Sequence, residues 1–314
     1  MKPIVTLTLN PAIDVACEAD EVRHTQKTRT YNEHIEPGGG GINVARALCG
    51  FSAPARAIYL AGGVSGRVLD GMVADLGVER DAIWVKGDTR ISLNVRERAS
   101  SREFRFVPEG AEVSKEEWTR VLDRIAATDC DYFVASGSLP PGVPDDFYAR
   151  IVPLIRAKEA RFMLDTSGKE LGAALDAGVF LIKPSHGELE QLVGRPLPSN
   201  EDLADAAAGI VASGQARLVA VTLGHKGSIL VGERGALYLP AVDVEVRSAV
   251  GAGDSFLAGM TYGLASGQDE VIAFRMGAAA GAAAVQSPGT DLCKTADVDA
   301  LMARVGEPEK IATS

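Results

Sequence analysis

Short apolar runs recur along the chain and predict the strands of a sheet. Their aliphatic and β-branched residues are continuous rather than alternating, which is typical of strands buried on both faces. From about Arg56 onward the runs alternate with helical patterns, and this alternation predicts a parallel sheet covered by helices on both sides. The candidate strands are Ile4–Leu9, Arg56–Leu60, Tyr132–Ser136, Arg161–Asp165, Val179–Lys183 and Arg217–Leu223.

Two segments interrupt this alternation, residues 12–35 and 88–109. Both repeat apolar and polar positions with a period of two, as expected of strands with one face in solvent. In the second segment Ile91, Leu93 and Val95 share one face, and the chain can turn at residues 99–101. The two segments predict a small β-sheet with a hairpin. The main domain then consists of residues 1–11, 36–87 and 110–314.

Local signals mark one helix and the end of the sequence. Ser114 and Glu117 form a capping box ahead of Trp118–Ala127, because each side chain can bond an otherwise unpaired backbone N–H. Residues 307–314 are expected to be a frayed tail.

Charge and cysteine content narrow the classes of protein. The chain has 32 Lys and Arg against 42 Asp and Glu, and its net charge of -10 opposes binding to nucleic acid or to anionic lipid. The 4 cysteines are far apart without a C-x-x-C pair, so we expect reduced thiols. Neither a secretory segment nor an apolar run of spanning length is present, which makes a cytoplasmic protein without a membrane partner the expectation.

A run of four glycines, Gly38 to Gly41, lies directly before an amphipathic helical pattern. Bare backbone at such a junction lets a ligand approach closely. Neither dinucleotide-binding nor P-loop spacing fits, because Asn43 or Val44 stands where the third glycine is needed. Asn43 is either a sugar-binding residue or an ordinary helix-start residue, and the glycine run favours binding.

A second junction contains Gly251, Ala252, Gly253 and Asp254. Backbone N–H groups at the start of a helix converge on an anion, and the helix dipole reinforces them. Asp254 is placed to accept the proton of an attacking hydroxyl while the amides stabilise a phosphoryl group. It can equally be an N-cap aspartate, and this junction alone leaves both roles open.

The ordered set of these segments resembles the ribokinase-like sugar kinase family called PfkB. Within that family the chain is most similar to the minor 6-phosphofructokinase group, through residues 37–47, 89–90 and 104–107. The resemblance implies an α/β fold, with a ribokinase-like three-layer α/β/α domain, a mainly parallel central sheet, and the small β-sheet as a lid. The segments that carry the family resemblance are Gly38 to Asn43, Ser136 to Gly142, Lys183-Pro184, Glu188 and Gly251 to Asp254.

The same resemblance implies roles for individual residues. Asp254 is the catalytic base, and Gly251, Ala252 and Gly253 supply an anion hole for the transferred phosphoryl group. The residues implied to bind the sugar hydroxyls or the substrate phosphate are Asp14, Lys27, Gly38, Gly39, Asn43, Arg90, Arg105 and Ser138. The nucleotide side is implied for Lys183, Ser185, Thr222, Gly224 and Gly227, and Mg²⁺ for Glu188 through water.

Two further sequence features bear on these roles. Arginines outnumber acidic residues between Asp88 and Phe106, which favours a small anionic ligand in a chain that is otherwise acidic. Ser185 stands three residues before Glu188, where the family usually has asparagine. Serine is shorter and has no amide, so weaker or altered Mg²⁺ use is expected.

The implied reaction is phosphorylation of a sugar phosphate by ATP, with fructose 6-phosphate as the leading substrate and fructose 1,6-bisphosphate as product. Tagatose 6-phosphate and fructose 1-phosphate are the alternatives. The implied cofactors are ATP and Mg²⁺, with a monovalent cation left open. The lid is expected to exclude water and to join two subunits in a homodimer.

Two other classes of function remain open at this stage. A non-catalytic sugar-phosphate sensor is suggested only by Ser185. A hydrolase of the G-D-S-L type is suggested by residues 253–257, but all 4 histidines precede Ser255, whereas such enzymes have a late histidine base.

Overall fold

A computed structural model describes residues 2–287 and 292–313, which form two β-sheets and a set of helices. The strands are β1 (Ile4–Thr8), β2 (Ala12–Ala19), β3 (Tyr31–Gly38), β4 (Ala55–Gly62), β5 (Glu79–Val85), β6 (Arg90–Glu97), β7 (Glu103–Phe106), β8 (Tyr132–Ser136), β9 (Arg161–Asp165), β10 (Val179–Ile182), β11 (Ala216–Thr222), β12 (Ser228–Gly232), β13 (Gly235–Leu239) and β14 (Glu309–Ile311). The helices are α1 (Gly40–Gly50), α2 (Gly63–Asp75), α3 (Lys115–Ala127), α4 (Phe147–Arg156), α5 (Gly168–Ala177), α6 (His186–Val193), α7 (Asn200–Ala212), α8 (Ala252–Ala265), α9 (Glu270–Val285) and α10 (Thr295–Met302).

The main sheet has ten strands in the order β14-β13-β12-β11-β10-β9-β8-β1-β4-β5. Strands β11 to β5 in this order are parallel, and β12, β13 and β14 continue the sheet in antiparallel pairing. Every strand predicted from an apolar run is present, with its ends shifted by two residues at most. Because side chains of these strands are buried on both faces, the predicted mainly parallel sheet is confirmed.

Helices cover both faces of this sheet and enclose two hydrophobic cores. One core lies under α1, α2, α8, α9 and α10, and the other lies under α3 to α7. Helices α8 and α9 pack closely, since a side chain at Gly259 would lie 2.7 Å from the carbonyl oxygen of Met276. The alanine- and glycine-rich stretch that starts at Met276 is thus a packing surface between the two helices.

The small sheet has the strand order β3-β2-β6-β7. Strands β2 and β6 pair in parallel, while β3 and β7 add in antiparallel fashion. The predicted hairpin joins β6 to β7, and its two faces differ as the alternation indicated. Ile91 and Phe106 are exposed on one face, whereas Asp14 and Ser92 lie on the other.

The ends of elements contain one confirmed prediction and one that is wrong. The capping box of Ser114 and Glu117 is present at the start of α3. The frayed tail is wrong over the described residues, because Glu309–Ile311 pair with β13 as an edge strand. This strand has two exposed charged residues and one apolar residue, Ile311, which packs against a hydrophobic core. Backbone pairing with β13 and this single apolar contact hold it.

Candidate active site

A cleft of about 310 Å³ lies between the small sheet and the starts of α1 and α8. Its position follows from the topology, because the loops at the carboxyl ends of parallel strands meet at one edge of the sheet. The chain segments that line it contribute Ala12, Asp14, Val15, Ala16, Gly39, Asn43, Arg90, Ser92, Leu93, Asn94, Arg105, Val107, Ala249, Val250, Gly251 and Asp254. The cleft brings together residues predicted for the sugar, for the anion hole and for proton transfer.

The start of α8 forms one wall of the cleft. Gly251 precedes the helix with φ of 76°, a left-handed backbone conformation that glycine adopts without strain. Gly251 is the N-cap residue and has no side chain with which to cap this end of the helix. The first backbone N–H groups of a helix have no intrahelical partner, so those following Gly251 are available to an anion.

Asp254 lies in the first turn of α8, on the wall of the cleft. Its Oδ2 accepts a hydrogen bond of 2.9 Å from Nδ2 of Asn43 in α1. Burial and the nearby charge of Asp165 raise the pKa of Asp254 to about 7, against the opposing effects of Asn43 and Lys183. A carboxyl group with a pKa near neutrality is suited to general-base work.

A buried ion pair lies beside Asp254. Nζ of Lys183 is 3.1 Å from Oδ1 of Asp165, and Oγ of Ser136 donates to the other oxygen of Asp165 at 3.2 Å. A side-chain carbon at Gly253 would lie 3.2 Å from Nζ of Lys183, which places the ammonium group against the glycine junction. Although burial acts to lower the pKa of Lys183, the charges of Asp165 and Asp254 raise it, so the lysine stays positively charged.

Ser185 and Glu188 form a second capping box, at the start of α6. Oε2 of Glu188 accepts a 2.7 Å bond from the backbone N–H of Ser185, and Oγ of Ser185 accepts from the N–H of Glu188 at 3.4 Å. Thr222 lies beside them, because its N–H donates to the carbonyl of Pro184 at 3.0 Å. The hydroxyl of Ser185 is therefore engaged in capping the N-terminus of α6.

The donor set around Glu188 fits Mg²⁺ that is held mainly by phosphate and water. Among residues 2–287 and 292–313, no group of three or more His, Cys, Asp or Glu side chains can hold a metal ion by itself. Magnesium in kinase sites keeps several waters and takes one or two carboxylates together with substrate phosphates. Glu188 can supply such a carboxylate.

The small sheet contributes the opposite wall of the cleft. Burial raises the pKa of Asp14, while Arg90, Ser92 and Arg105 act in the other direction. A side chain at Gly38 would overlap the carboxylate of Asp14, so glycine is needed there to leave room for it. Asp14 and the two arginines thus share one polar face.

Arg90 also links two of the connections between the main domain and the small sheet. Its Nη2 donates to the carbonyl of Asn10 at 2.7 Å, and its Nη1 donates to the carbonyl of Pro108 at 2.8 Å. These carbonyls lie where the chain enters and leaves the small sheet. A guanidinium group has five N–H donors, so Arg90 keeps donors for a ligand.

Several predicted residues lie outside the cleft lining. Lys27 is exposed on the loop between β2 and β3, and Ser138 is exposed after β8, within 3.5 Å of Nδ2 of Asn10. Gly224 and Gly227 bound a 3₁₀ turn after β11. The roles predicted for these residues stay predictions.

Two residues near the site were missed by the sequence analysis. Asp165 is the last residue of a strand, and Ser92 is one polar position among several in β6. Neither has a local motif. Ser255, which the hydrolase alternative requires as nucleophile, is fully buried in α8, and the backbone N–H of Cys293 donates to its hydroxyl oxygen at 3.4 Å. This environment argues against hydrolase chemistry.

Comparison with known families agrees with this geometry. A model of the pfkB family carbohydrate kinases matches residues 7–297. Because the match spans most of the sequence, the chain belongs to the pfkB family of carbohydrate kinases. The predicted ribokinase-like α/β fold is confirmed by its structural neighbours.

Individual relatives are similar over nearly the whole chain. The ATP-dependent 6-phosphofructokinase isozyme 2 of Mycobacterium tuberculosis is 37% identical over 310 residues, which cover 98% of this chain and 91% of the relative. The 1-phosphofructokinase of Borreliella burgdorferi is 30% identical over 313 residues, covering 99% and 100%. Phosphofructokinase-2 from Escherichia coli in complex with fructose-6-phosphate has a TM-score of 0.91 at 36% identity, covering 97% of this chain and 99% of the other. Other crystal structures of the E. coli protein are of a complex with potassium and of a tetrameric inhibited form.

Proposed function

We propose that the protein is an ATP-dependent 6-phosphofructokinase that converts fructose 6-phosphate to fructose 1,6-bisphosphate. The observation that carries this proposal is the position of Asp254. Its carboxyl group faces a cleft that has glycine amides on one side and the polar face with Arg90 and Arg105 on the other. A sugar phosphate bound to the arginines can present its free hydroxyl to Asp254, with a nucleotide phosphate at the amides.

The chemistry is phosphoryl transfer by in-line attack. The sugar hydroxyl oxygen forms a bond to the γ-phosphorus of ATP, its proton passes to Asp254, and the bond from the γ-phosphorus to the bridging oxygen breaks to release ADP. The N–H groups after Gly251 and the ammonium group of Lys183 stabilise negative charge on the transferred group. Positioning and charge stabilisation account for most of the catalysis in such reactions.

The nucleotide is assigned to the region from Lys183 to Gly227. Thr222, Gly224 and Gly227 surround the 3₁₀ turn that follows β11, and Ser185 and Glu188 lie next to Thr222. Glu188 would hold Mg²⁺ through water, and the bound ion would neutralise phosphate charge on the nucleotide. A monovalent cation is part of the proposal because the related E. coli enzyme forms a complex with potassium.

The identity of the sugar rests on the polar face of the small sheet. Guanidinium groups bind phosphate through paired hydrogen bonds, which suits Arg90 and Arg105 to the 6-phosphate. Asp14, Gly38, Gly39 and Asn43 are assigned to the sugar hydroxyls, and Lys27 and Ser138 to the phosphate. Fructose 1-phosphate is the second candidate substrate, because one relative is a 1-phosphofructokinase. Tagatose 6-phosphate is the third.

We further propose that the small sheet acts as a lid and joins two copies of the chain. Its outer face exposes Ile35, Ile91 and Phe106, each more than half accessible. An exposed apolar patch of this kind marks an interaction surface. The patch on the small sheet is the basis for proposing a homodimer; the tetrameric inhibited form of the related E. coli protein is a different oligomer. No helix among the described residues is long and apolar enough to cross a membrane.

The test is a coupled assay of ADP release with a panel of phosphosugars. Fructose 6-phosphate should give the highest kcat/KM, and ADP release should require the sugar. Asp254→Asn should lower kcat by about 10²- to 10⁴-fold with a modest change in KM. Asp202→Asn is a matched control, because it alters a first-turn aspartate of α7. If the unaltered protein binds the sugar without releasing ADP, a non-catalytic sensor is favoured. If Asp254→Asn turns over normally, Asp254 is not the catalytic base.

A further inference from the structure

A chain of polar contacts reaches Asp254 from the small sheet through Arg46 of α1. Nη2 of Arg46 is 3.2 Å from Oε2 of Glu36, which belongs to β3. Nη1 of Arg46 donates to the carbonyl of Pro37 at 3.2 Å and to Oδ1 of Asn43 at 3.3 Å. Asn43 in turn donates to Asp254.

The side chain of Arg46 is only 11% exposed, and that of Glu36 is 21% exposed. A guanidinium group at such a position needs partners, because a buried charge without compensation is costly. Glu36 and the carbonyl of Pro37 provide them. The pair is thus fixed in one geometry rather than fluctuating in solvent.

The chemistry of the two groups decides how the amide of Asn43 is turned. A guanidinium group can only donate hydrogen bonds, so the atom of Asn43 that faces Arg46 must be the carbonyl oxygen. The amide nitrogen then faces Asp254. An ionised carboxylate can only accept, and the Asn43 nitrogen is a donor, so both neighbours require the same orientation.

We propose that Arg46, held by Glu36 of the small sheet, is a positioning residue that fixes the amide of Asn43 and through it the carboxylate of Asp254. Neither Arg46 nor Glu36 lines the cleft. The proposal rests on the proposed function, because it takes Asp254 as the base. It adds a connection from the small sheet to the proton acceptor.

The fixed amide has two effects on Asp254. It holds Oδ2, which leaves Oδ1 for the incoming hydroxyl, and it stabilises the ionised form of the base. The other charged groups that act on Asp254 are Asp165 and Asp14, which favour the protonated form, and Lys183, which favours the ionised form. Without Arg46 the amide of Asn43 is free to turn. The equilibrium between the two forms of Asp254 then shifts toward the protonated form.

The experiment compares Arg46→Met and Arg46→Lys with the unaltered enzyme. Methionine removes the donors but keeps much of the length, so kcat should fall by about tenfold to a hundredfold while KM for ATP changes little. KM for the sugar should rise modestly, because Asn43 is also assigned to the sugar hydroxyls. The acid limb of the kcat/KM profile should move to higher pH. Lysine keeps a positive donor, so Arg46→Lys should recover part of the rate and part of the pH profile.

Arg275→Met is the matched control. Arg275 is also largely buried, pairs with Glu307 and donates to the carbonyl of Val305 at 2.9 Å, but it lies in α9 away from the cleft. Its removal should change stability without changing kcat or the pH profile. If Arg46→Met behaves like Arg275→Met, Arg46 is a structural residue and the proposal is wrong.

A double substitution separates this proposal from the proposed function. If Arg46 acts through Asp254, Arg46→Met should lower kcat no further in the Asp254→Asn background. An independent loss in that background overturns the proposal while leaving the base in place. Normal turnover by Asp254→Asn alone overturns the proposed function instead. Should Arg46→Met fail to fold, an unshifted acid limb in Arg46→Lys decides against the proposal.

Discussion

At the scale of single residues, the site depends on the surroundings of one carboxyl group. Burial and Asp165 raise the pKa of Asp254, and Asn43 and Lys183 limit the rise to a value of about 7. An aspartate in water would be fully ionised at neutral pH and would be a weak base. The surroundings therefore make Asp254 a stronger proton acceptor, although only part of it is ionised at neutrality.

The pH dependence of turnover follows from this pKa. Asp254 must be ionised to accept a proton, so kcat/KM should be nearly constant above pH 8 and should fall about tenfold per unit well below pH 7. The measurement is kcat/KM for fructose 6-phosphate between pH 5 and 9, with coupling enzymes in excess. In Asp254→Asn the acid limb of this profile, with its pKa near 7, should disappear. A limb that persists there belongs to another group.

The same pKa shift has the opposite effect on stability. The folded pKa lies above the unfolded value, so the stabilising effect of the protonated acid is complete below about pH 4 and is lost as pH rises through 7. Urea unfolding at several pH values should show this loss. The free energy of unfolding of the unaltered protein should fall relative to that of Asp254→Asn as pH rises.

Residues with a local signature could be predicted from the sequence, and the others could not. Asp254 and Asn43 follow glycine runs, and the sequence analysis selected both. Asp165 and Lys183 are brought together only because β9 and β10 pair in parallel. Their contact depends on two strand ends meeting at one edge of the sheet, which no short motif encodes.

At the scale of elements, Ser185 at the start of α6 has a capping role that the family resemblance did not indicate. The resemblance implies a place for Ser185 on the nucleotide side, where the family usually has asparagine. The S-x-x-E spacing of Ser185 and Glu188 is the same as that of Ser114 and Glu117, whose capping box the sequence analysis did predict. A capping role was therefore readable from the sequence.

Removing this cap should destabilise the protein. Ser185→Ala should lower the free energy of unfolding by about 0.5–2 kcal/mol, measured by urea denaturation, because the N–H of Glu188 loses its acceptor. Ser114→Ala is the matched control and should cost a similar amount. Ser185→Asn should keep most of the stability, since asparagine is also a good N-cap residue. Equal stability of Ser185→Ala and the unaltered protein would contradict the role.

Strands could be predicted where burial on both faces requires a continuous run of apolar residues. The central strands are continuous apolar runs, and all of those predicted are present. Strand β14 was missed because it has 3 residues and Ile311 is its single apolar residue, packed against the core beside two exposed charged side chains. Edge strands of this kind leave little trace in hydrophobicity.

At the scale of the whole molecule, the outer face of the small sheet leaves an apolar surface in solvent. Ile35 lies opposite Val15, Leu93 lies opposite Val15 on the other side, and Phe106 lies opposite Leu93, so these side chains form a row across all four strands. A row of this kind can pair with its copy about a two-fold axis.

A charge in this row should dissociate the proposed dimer. Phe106→Glu should shift sedimentation from dimer to monomer at micromolar concentration, because a carboxylate buried in the interface would lack a partner. Val64→Glu is the control, since Val64 of α2 is also more than half exposed but lies outside the small sheet. A monomeric unaltered protein, or a dimer that survives Phe106→Glu, would contradict this arrangement.

The small sheet is attached to the main domain at four chain crossings. They lie between β1 and β2, between β3 and α1, between β5 and β6, and between β7 and α3. Arg90 clasps the first and the last of these. Four connections, two of them linked by Arg90, limit the ways in which the small sheet can turn relative to the main domain. In the proposed enzyme this limit would present the polar face to each sugar in one orientation, so the attachment of the sheet would contribute to the choice of hydroxyl together with the chemistry of its side chains.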